Sequence, residues 1–179
     1  MSNLERSYAR NGGGVASWKG LVTGATGAAT VTLAHEVVRQ LVPGAPRLDR
    51  LGMDALTKTM RALGLSAPRG ERLRGYTLLA DIAGNAMYYA PVASAGRRPW
   101  LRGLALGVAA GLGAVLLTPK LGLPRRHRGP HLKTQAMTVG LYALGGLAAG
   151  AMATFLGRND GADLADRMRI AEGAEGSLA

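Results

Sequence analysis

The sequence predicts an all-α fold: an integral membrane bundle of four transmembrane helices, with one amphipathic surface helix between the first and the second. Composition is the first reason. Only 18% of the 179 residues are charged and 27 are glycine, whereas soluble domains average about 25% charged residues and about 7% glycine. Charge distribution is the second reason, because four stretches almost free of charge separate the charged clusters.

The first candidate span covers residues 18–42 and is uncharged from Gly20 to Ala34. A helix needs about 20 residues to cross about 30 Å of hydrocarbon, so this segment spans only if Arg39 extends its side chain towards the headgroups. A cleaved signal peptide is the alternative, but residues 34–36, Ala-His-Glu, provide no small-x-small cleavage site. We therefore expect the segment to be retained as a membrane helix.

Residues 47–64 have the pattern of an amphipathic helix. Apolar residues recur at steps of three and four from Leu48 to Leu63, and Arg, Lys and Asp fill most positions between them. This segment is too charged to cross a membrane. We expect it to lie along the membrane surface or to fold as a cap onto the end of the bundle.

The remaining candidate spans are residues 75–96, 100–119 and 134–157. The first of these holds one acidic residue, Asp81, and the last is uncharged throughout. The segment 100–119 reaches the required length if Trp100 and Lys120 lie at the two interfaces. A buried helix of a small soluble protein needs a polar face, and the segments 100–119 and 134–157 lack one. Residues 1–157 are therefore predicted to form one polytopic membrane domain, followed by a polar, acidic tail at 158–179.

Three of the candidate spans carry glycines at intervals of four residues, and these rows of glycines are called glycine seams below. They consist of Gly20 and Gly24, of Gly103, Gly107 and Gly111, and of Gly146 and Gly150. Small residues at this spacing let membrane helices approach closely. We expect a tight bundle in which one seam remains for a membrane-protein partner or for a second copy of the chain.

Residues 21–27, Leu-Val-Thr-Gly-Ala-Thr-Gly, resemble the phosphate-binding turn of short-chain dehydrogenases, which hold a nicotinamide dinucleotide. Gly24 and Gly27 fit that turn, but Thr30 occupies the position of its third glycine. The sequence also lacks the Tyr-x-x-x-Lys pair of that family and an alternation of strands and helices. We therefore expect no cofactor.

Helix geometry assembles one cluster of polar residues, formed by His35, Glu36, Asp81 and Asn85. If the first two spans are antiparallel, His35 and Asp81 lie about 9–10 Å inside the same membrane face, at 1.5 Å per residue. Ionisable groups at that depth are costly unless they are paired. The cluster is thus interpreted either as a working site or as a structural pair.

In a working site, His35 accepts a proton, Asp81 is its charge partner and Asn85 orients one of them. In a structural pair, a His35–Asp81 hydrogen bond fixes the helix register and Glu36 pairs with Arg39. A metal site is not expected, because adjacent helical residues such as His35 and Glu36 diverge by about 100°.

The formal net charge of +11 indicates attraction of the basic loops to anionic lipid headgroups. A nucleic-acid partner is not expected, because the chain has no basic stretch interleaved with aromatic residues and no nucleic-acid motif. Residues 43–74 hold seven Lys and Arg and residues 120–133 hold five, which slightly favours both termini outside the cell.

Three stretches resemble small four-helix proteins of bacterial inner membranes: residues 33–36 (Leu-Ala-His-Glu), 45–53 (Ala-Pro-Arg-Leu-Asp-Arg-Leu-Gly-Met) and 84–89 (Gly-Asn-Ala-Met-Tyr-Tyr). The resemblance implies the fold and a multi-pass location in the inner membrane, but no activity. Two functional classes remain: a non-enzymatic subunit or assembly component of a membrane complex, and a small transporter or lipid-modifying enzyme that uses the polar cluster. The glycine seams favour the first.

Overall fold

The computed structural model describes residues 17–94, 96, 98–120, 122 and 132–176, with side chains in the last helix described up to residue 158. The part of the predicted domain before residue 17, most of the basic loop at 121–131 and the acidic side chains of the tail lie outside these residues. The described chain contains five α-helices and no strand, so the predicted all-α class is confirmed. The helices are α1 (Trp18–Leu41), α2 (Leu48–Ala62), α3 (Gly70–Tyr89), α4 (Pro99–Lys120) and α5 (Leu132–Gly176), and a short 3-10 helix, Ala90–Ser94, follows α3.

Local sequence signals set the ends of the first helices. The Ser17 hydroxyl accepts a hydrogen bond of 3.1 Å from the Gly20 amide and caps the start of α1. Gly44 follows α1 with φ of 79°, and Gly64 follows α2 with φ of 73°. Glycine is the residue that adopts this left-handed conformation without a Cβ clash, so both positions stop a helix.

Two helices differ in extent from the sequence-based prediction. The span predicted at 75–96 begins earlier, at Gly70, and ends as a regular helix at Tyr89. Pro91 has no amide hydrogen to continue the α-helical pattern, and the chain tightens there into the 3-10 helix. The last candidate span covers Leu132–Arg158, close to the predicted 134–157, but α5 continues beyond it as one helix to Gly176.

The four long helices pack side by side in the order α3, α1, α5, α4. Neighbouring helices are antiparallel. For example, Gly44, just after the end of α1, contacts Thr134 near the start of α5, and Gly27 in the first half of α1 contacts Gly145 further along α5. The amphipathic helix α2 packs against α3, where Gly52 lies beside the Thr77 side chain. This arrangement places α2 across one end of the α1–α3 pair.

The glycine seams lie between helices of the same chain. A methyl group on Gly103 would overlap the carbonyl oxygen of Gly146, and one on Gly107 would lie 2.8 Å from the Cα of Ala143. A methyl group on Gly24 in α1 would overlap the Ala86 carbonyl of α3. The seams of α1, α4 and α5 are therefore occupied inside the bundle.

Many large apolar side chains point outwards from the bundle, whereas its interior contains mostly small residues together with Tyr89 and a few Val and Leu side chains. The buried residues of α4 lie along one face of the helix: Gly103, Gly107, Gly111, Val115 and Thr118. On the same helix the side chains of Leu112, Leu116 and Leu117 are exposed. A soluble protein rarely exposes so large an apolar surface.

Within the described part of the chain, two helices are long and apolar enough to cross a membrane: α4 and the Leu132–Arg158 part of α5. In the most apolar 18-residue stretch of each helix, only 28% (α4) and 33% (α5) is buried inside the protein. The core helix of a soluble protein, in contrast, is mostly buried. Among the described residues, α1 and α3 do not reach the same apolarity. The fold is thus a helical bundle with two candidate membrane-spanning helices.

Candidate functional site

The candidate site is a cavity of about 330 Å³ between α1, α2 and α3, closed on one side by Tyr142 of α5. Three of the four residues in the predicted polar cluster, His35, Glu36 and Asp81, line this cavity. Asn85 lies one helical turn beyond Asp81 and contacts it. The structure therefore brings the predicted cluster together at one end of the bundle.

His35 is held by the segment that connects α1 to α2. Its Nε2 atom lies 2.9 Å from the carbonyl oxygen of Pro46, a buried residue. A carbonyl oxygen can only accept, so Nε2 carries the hydrogen and donates it. Within the described chain His35 and Asp81 form no hydrogen bond with each other, which corrects the expectation of a direct structural pair. Sequence spacing missed Pro46 because the connection folds back over the end of α1.

Glu36 forms an ion pair on its own helix. Arg39 donates from Nε to the Glu36 carboxylate at 3.0 Å, and the amide of Gln40 donates to the same carboxylate at 2.8 Å. The structural-pair interpretation of the sequence predicts this contact between Glu36 and Arg39. With two donors within one turn, the Glu36 charge is compensated locally.

Asp81 is bound only on one side. Asn85 donates from Nδ2 to Asp81 Oδ1 at 3.1 Å, as the (i, i+4) spacing on α3 allows. Among the described residues Asp81 has no ion pair, and its side chain remains exposed where it lines the cavity. A charged ligand in the cavity can therefore reach this carboxylate.

Sequence reasoning missed five further polar residues of the cavity: Thr32, Asp49, Arg74, Thr77 and Tyr142. Arg74 precedes Asp81 by seven residues, or two turns of one helix face, and this spacing was available as a signal. Asp49 lies on α2, whose docking position the sequence left open. Its Oδ1 atom is buried and has no hydrogen-bond partner among the described residues.

Next to the cavity, towards the end of α3, two tyrosines form hydrogen bonds from α3 to other helices of the bundle. Tyr89 is fully buried and donates from its hydroxyl to the Tyr142 carbonyl at 2.8 Å, and the Tyr88 hydroxyl donates to the Leu106 carbonyl at 3.0 Å. The two rings pack edge to face with centroids 5.5 Å apart. Their hydrogen bonds join α3 to both α5 and α4.

The described residues contain no group of three His, Asp or Glu side chains placed to hold a metal ion. Gly24 and Gly27 lie inside α1 and pack against α3 and α5, rather than in the strand-to-helix turn of a dinucleotide site. Comparisons of the chain with protein-family models, with curated proteins and with solved structures found no match. The functional argument therefore depends on the geometry of the chain itself.

Proposed function

We propose that this chain is a four-span protein of a bacterial inner membrane that acts as a non-enzymatic subunit or assembly component of a membrane complex. The observation that carries the membrane location is the distribution of side chains on the four long helices. Mostly small residues occupy the interior and many large apolar residues occupy the outside, which suits a lipid environment.

The same distribution extends to α1 and α3, which supports counting them as spans. Exposed apolar residues of α1 include Leu21, Val22 and Leu33, and those of α3 include Leu79 and Met87. The two helices have 24 and 20 residues, so each is at least about 30 Å long at 1.5 Å per residue. That length equals the hydrocarbon thickness of a typical bilayer.

Lys19, His35, Glu36 and Arg39 lower the apolarity of α1 most, and its four threonines lower it further. Two of the threonine hydroxyls bond within the helix, whereas those of Thr23 and Thr32 have no partner among the described residues. Thr26 donates to the Val22 carbonyl at 2.9 Å and Thr30 donates to the Thr26 carbonyl at 2.8 Å. Such bonds to the preceding turn supply a partner for a hydroxyl group where water is absent.

The four-span arrangement predicts opposite sidedness for two exposed serines, Ser66 between α2 and α3 and Ser94 after α3. Because the chain contains no cysteine, Ser66→Cys and Ser94→Cys provide single labelling sites. A membrane-impermeant maleimide should label Ser94→Cys from outside the inner membrane and Ser66→Cys only after the membrane is opened. Labelling of both from the same side would contradict four spans and would fit spanning by α4 and α5 alone. Retention of the chain after carbonate extraction is the accompanying control.

A non-enzymatic role is supported by how the ionisable groups of the cavity are used. His35 is bound to a backbone carbonyl and Glu36 is paired with Arg39. Of the four long helices, α3 has the fewest buried residues among those described, namely Thr77 and Tyr89. The proposal therefore assigns contact with the partner subunit to α3.

Two glycines provide a matched test of this contact, since a Cβ on either Gly84 of α3 or Gly140 of α5 would meet nothing within 4 Å. We expect Gly84→Leu to reduce co-purification of the partner in mild detergent by at least about tenfold, which is about 1.4 kcal/mol. Gly140→Leu should leave co-purification unchanged, and both variants should retain the parental melting temperature. An unchanged complex with Gly84→Leu would exclude α3 as the contact.

The second candidate function is a small transporter or a lipid-modifying membrane enzyme, favoured by the shared cavity of His35 and Asp81. In the same preparations, the Asp81→Asn variant distinguishes this second candidate from a non-enzymatic subunit. Loss of rescue of a gene-deletion phenotype with the complex intact, and with Glu36→Gln still active, would support the second candidate.

A further inference from the structure

Part of the charge in the cavity between α1, α2 and α3 has no ion pair within the described residues, although Arg39 also attracts Asp49 and His35 attracts Asp81 electrostatically. Glu36 and Arg39 compensate each other, but Asp49, Asp81 and Arg74 also line the cavity. Two carboxylates and one guanidinium without an ion pair among the described residues are therefore available to a ligand. An anionic group alone would face both carboxylates, and a cation alone would leave Arg74 uncompensated.

We propose that this cavity binds the zwitterionic headgroup of an aminophospholipid, with its ammonium group at Asp81 and Asp49 and its phosphate at Arg74. This inference rests on the membrane location proposed above. Arginine suits the second contact because its planar guanidinium matches the oxygens of a phosphate.

The buried carboxylate oxygen of Asp49 determines the kind of ammonium group. Its Oδ1 has no hydrogen-bond donor within the described chain, and a buried acceptor without a donor costs free energy. A primary ammonium group carries three N–H donors, as in lysine, whereas a trimethylated ammonium group carries none. The site therefore selects an ethanolamine headgroup over a choline headgroup.

The size and lining of the cavity favour a lipid over a soluble phosphoethanolamine. A volume of about 330 Å³ lies at the lower end of ligand-binding cavities, which suits a headgroup rather than a whole lipid. Leu33 and Leu78 line the cavity and are 67% and 48% exposed. Their outward surfaces provide an apolar path for the glycerol and acyl chains. The amphipathic helix α2 forms the wall at headgroup depth.

The test measures lipid binding to the purified full chain in mild detergent by native mass spectrometry. The probes are phosphatidylethanolamine, phosphatidylcholine and phosphatidylglycerol with identical short acyl chains. We expect phosphatidylethanolamine to bind at least about tenfold more tightly than the other two, a difference of about 1.4 kcal/mol. Asp49→Asn and Asp81→Asn should each abolish this preference, and Arg74→Gln should weaken phosphatidylethanolamine binding. Glu71→Gln, an acidic residue of α3 outside the cavity, should bind as the parent does.

Equal binding of the three lipids, or tighter binding of phosphatidylglycerol, would overturn the proposal. So would a preference that survives in both aspartate variants. If one variant fails to fold, the other two cavity variants decide the matter. Soluble glycerophosphoethanolamine is included as a competitor, and binding as tight as that of the lipid would overturn the lipid as the source. Failure of carbonate retention would instead contradict the membrane location, so the two proposals fail in different measurements.

Discussion

Gly107→Ala is expected to lower the free energy of unfolding by about 1–3 kcal/mol, the usual cost of forcing extra volume into a packed interior. A methyl group at this position would overlap the Tyr142 carbonyl and lie 2.8 Å from the Cα of Ala143. Both obstacles are backbone, so no side-chain rotation relieves them and α4 must move away from α5. The measurement is the unfolding transition of the purified protein in mild detergent.

Gly113→Ala is the matched control, because it makes the same chemical change on the same helix. A Cβ there would meet only the Leu117 side chain, at 3.9 Å. Alanine also favours a helix over glycine by about 0.5–1 kcal/mol, so this variant should be as stable as the parent or slightly more stable. A comparable loss in both variants would show that contact between α4 and α5 is not the cause.

Tyr89→Ala is expected to have the largest effect of all, a loss of about 3–5 kcal/mol, as for other large aromatic side chains removed from a core. Tyr89 has no exposed surface, its ring faces Gly27 of α1, and its hydroxyl bonds the Tyr142 carbonyl of α5. Removing the ring leaves a cavity where three helices meet. The small residues around it cannot fill that space.

Tyr76→Ala provides the comparison for Tyr89→Ala, since Tyr76 lies on the same helix and is 58% exposed. Its loss should change the melting temperature little, because it packs against few atoms of the chain. Tyr89→Phe should cost about 0.5–1.5 kcal/mol, the net value of one hydrogen bond. If Tyr89→Ala melts like Tyr76→Ala, the packing described for the junction of α1, α3 and α5 is wrong.

The helices could be predicted because the information for them is local. Charge-free stretches between charged clusters gave approximate positions for four long helices, and the spacing of leucines from Leu48 gave α2. The predicted helix ends were wrong where a feature other than charge or hydrophobicity sets the local backbone. Pro91 changes α3 into a 3-10 helix although the surrounding residues remain apolar. The segment predicted as a polar, acidic tail from residue 158 continues the helix of the last span to Gly176, because charged residues end an apolar span without ending a helix.

The candidate site was predicted in part. Antiparallel helices of known rise place His35 and Asp81 at one level, and both residues line one cavity. Their bonding could not be obtained in this way, because a rise per residue gives depth but not the partner of a side chain. His35 bonds Pro46, which lies in a connection without helical periodicity.

By itself, the sequence determined that this protein is helical, that its apolar segments are separated by charged ones and that glycine lines several helix faces. These properties follow from the order of residues along single helices. Only the tertiary structure decided which glycine faces meet each other and that Asp49 joins Asp81 and Arg74 around one cavity. The physical reason is that contacts between helices depend on the rotation of each helix about its axis and on which helices are its neighbours. A pattern of residues along the chain is compatible with several such arrangements.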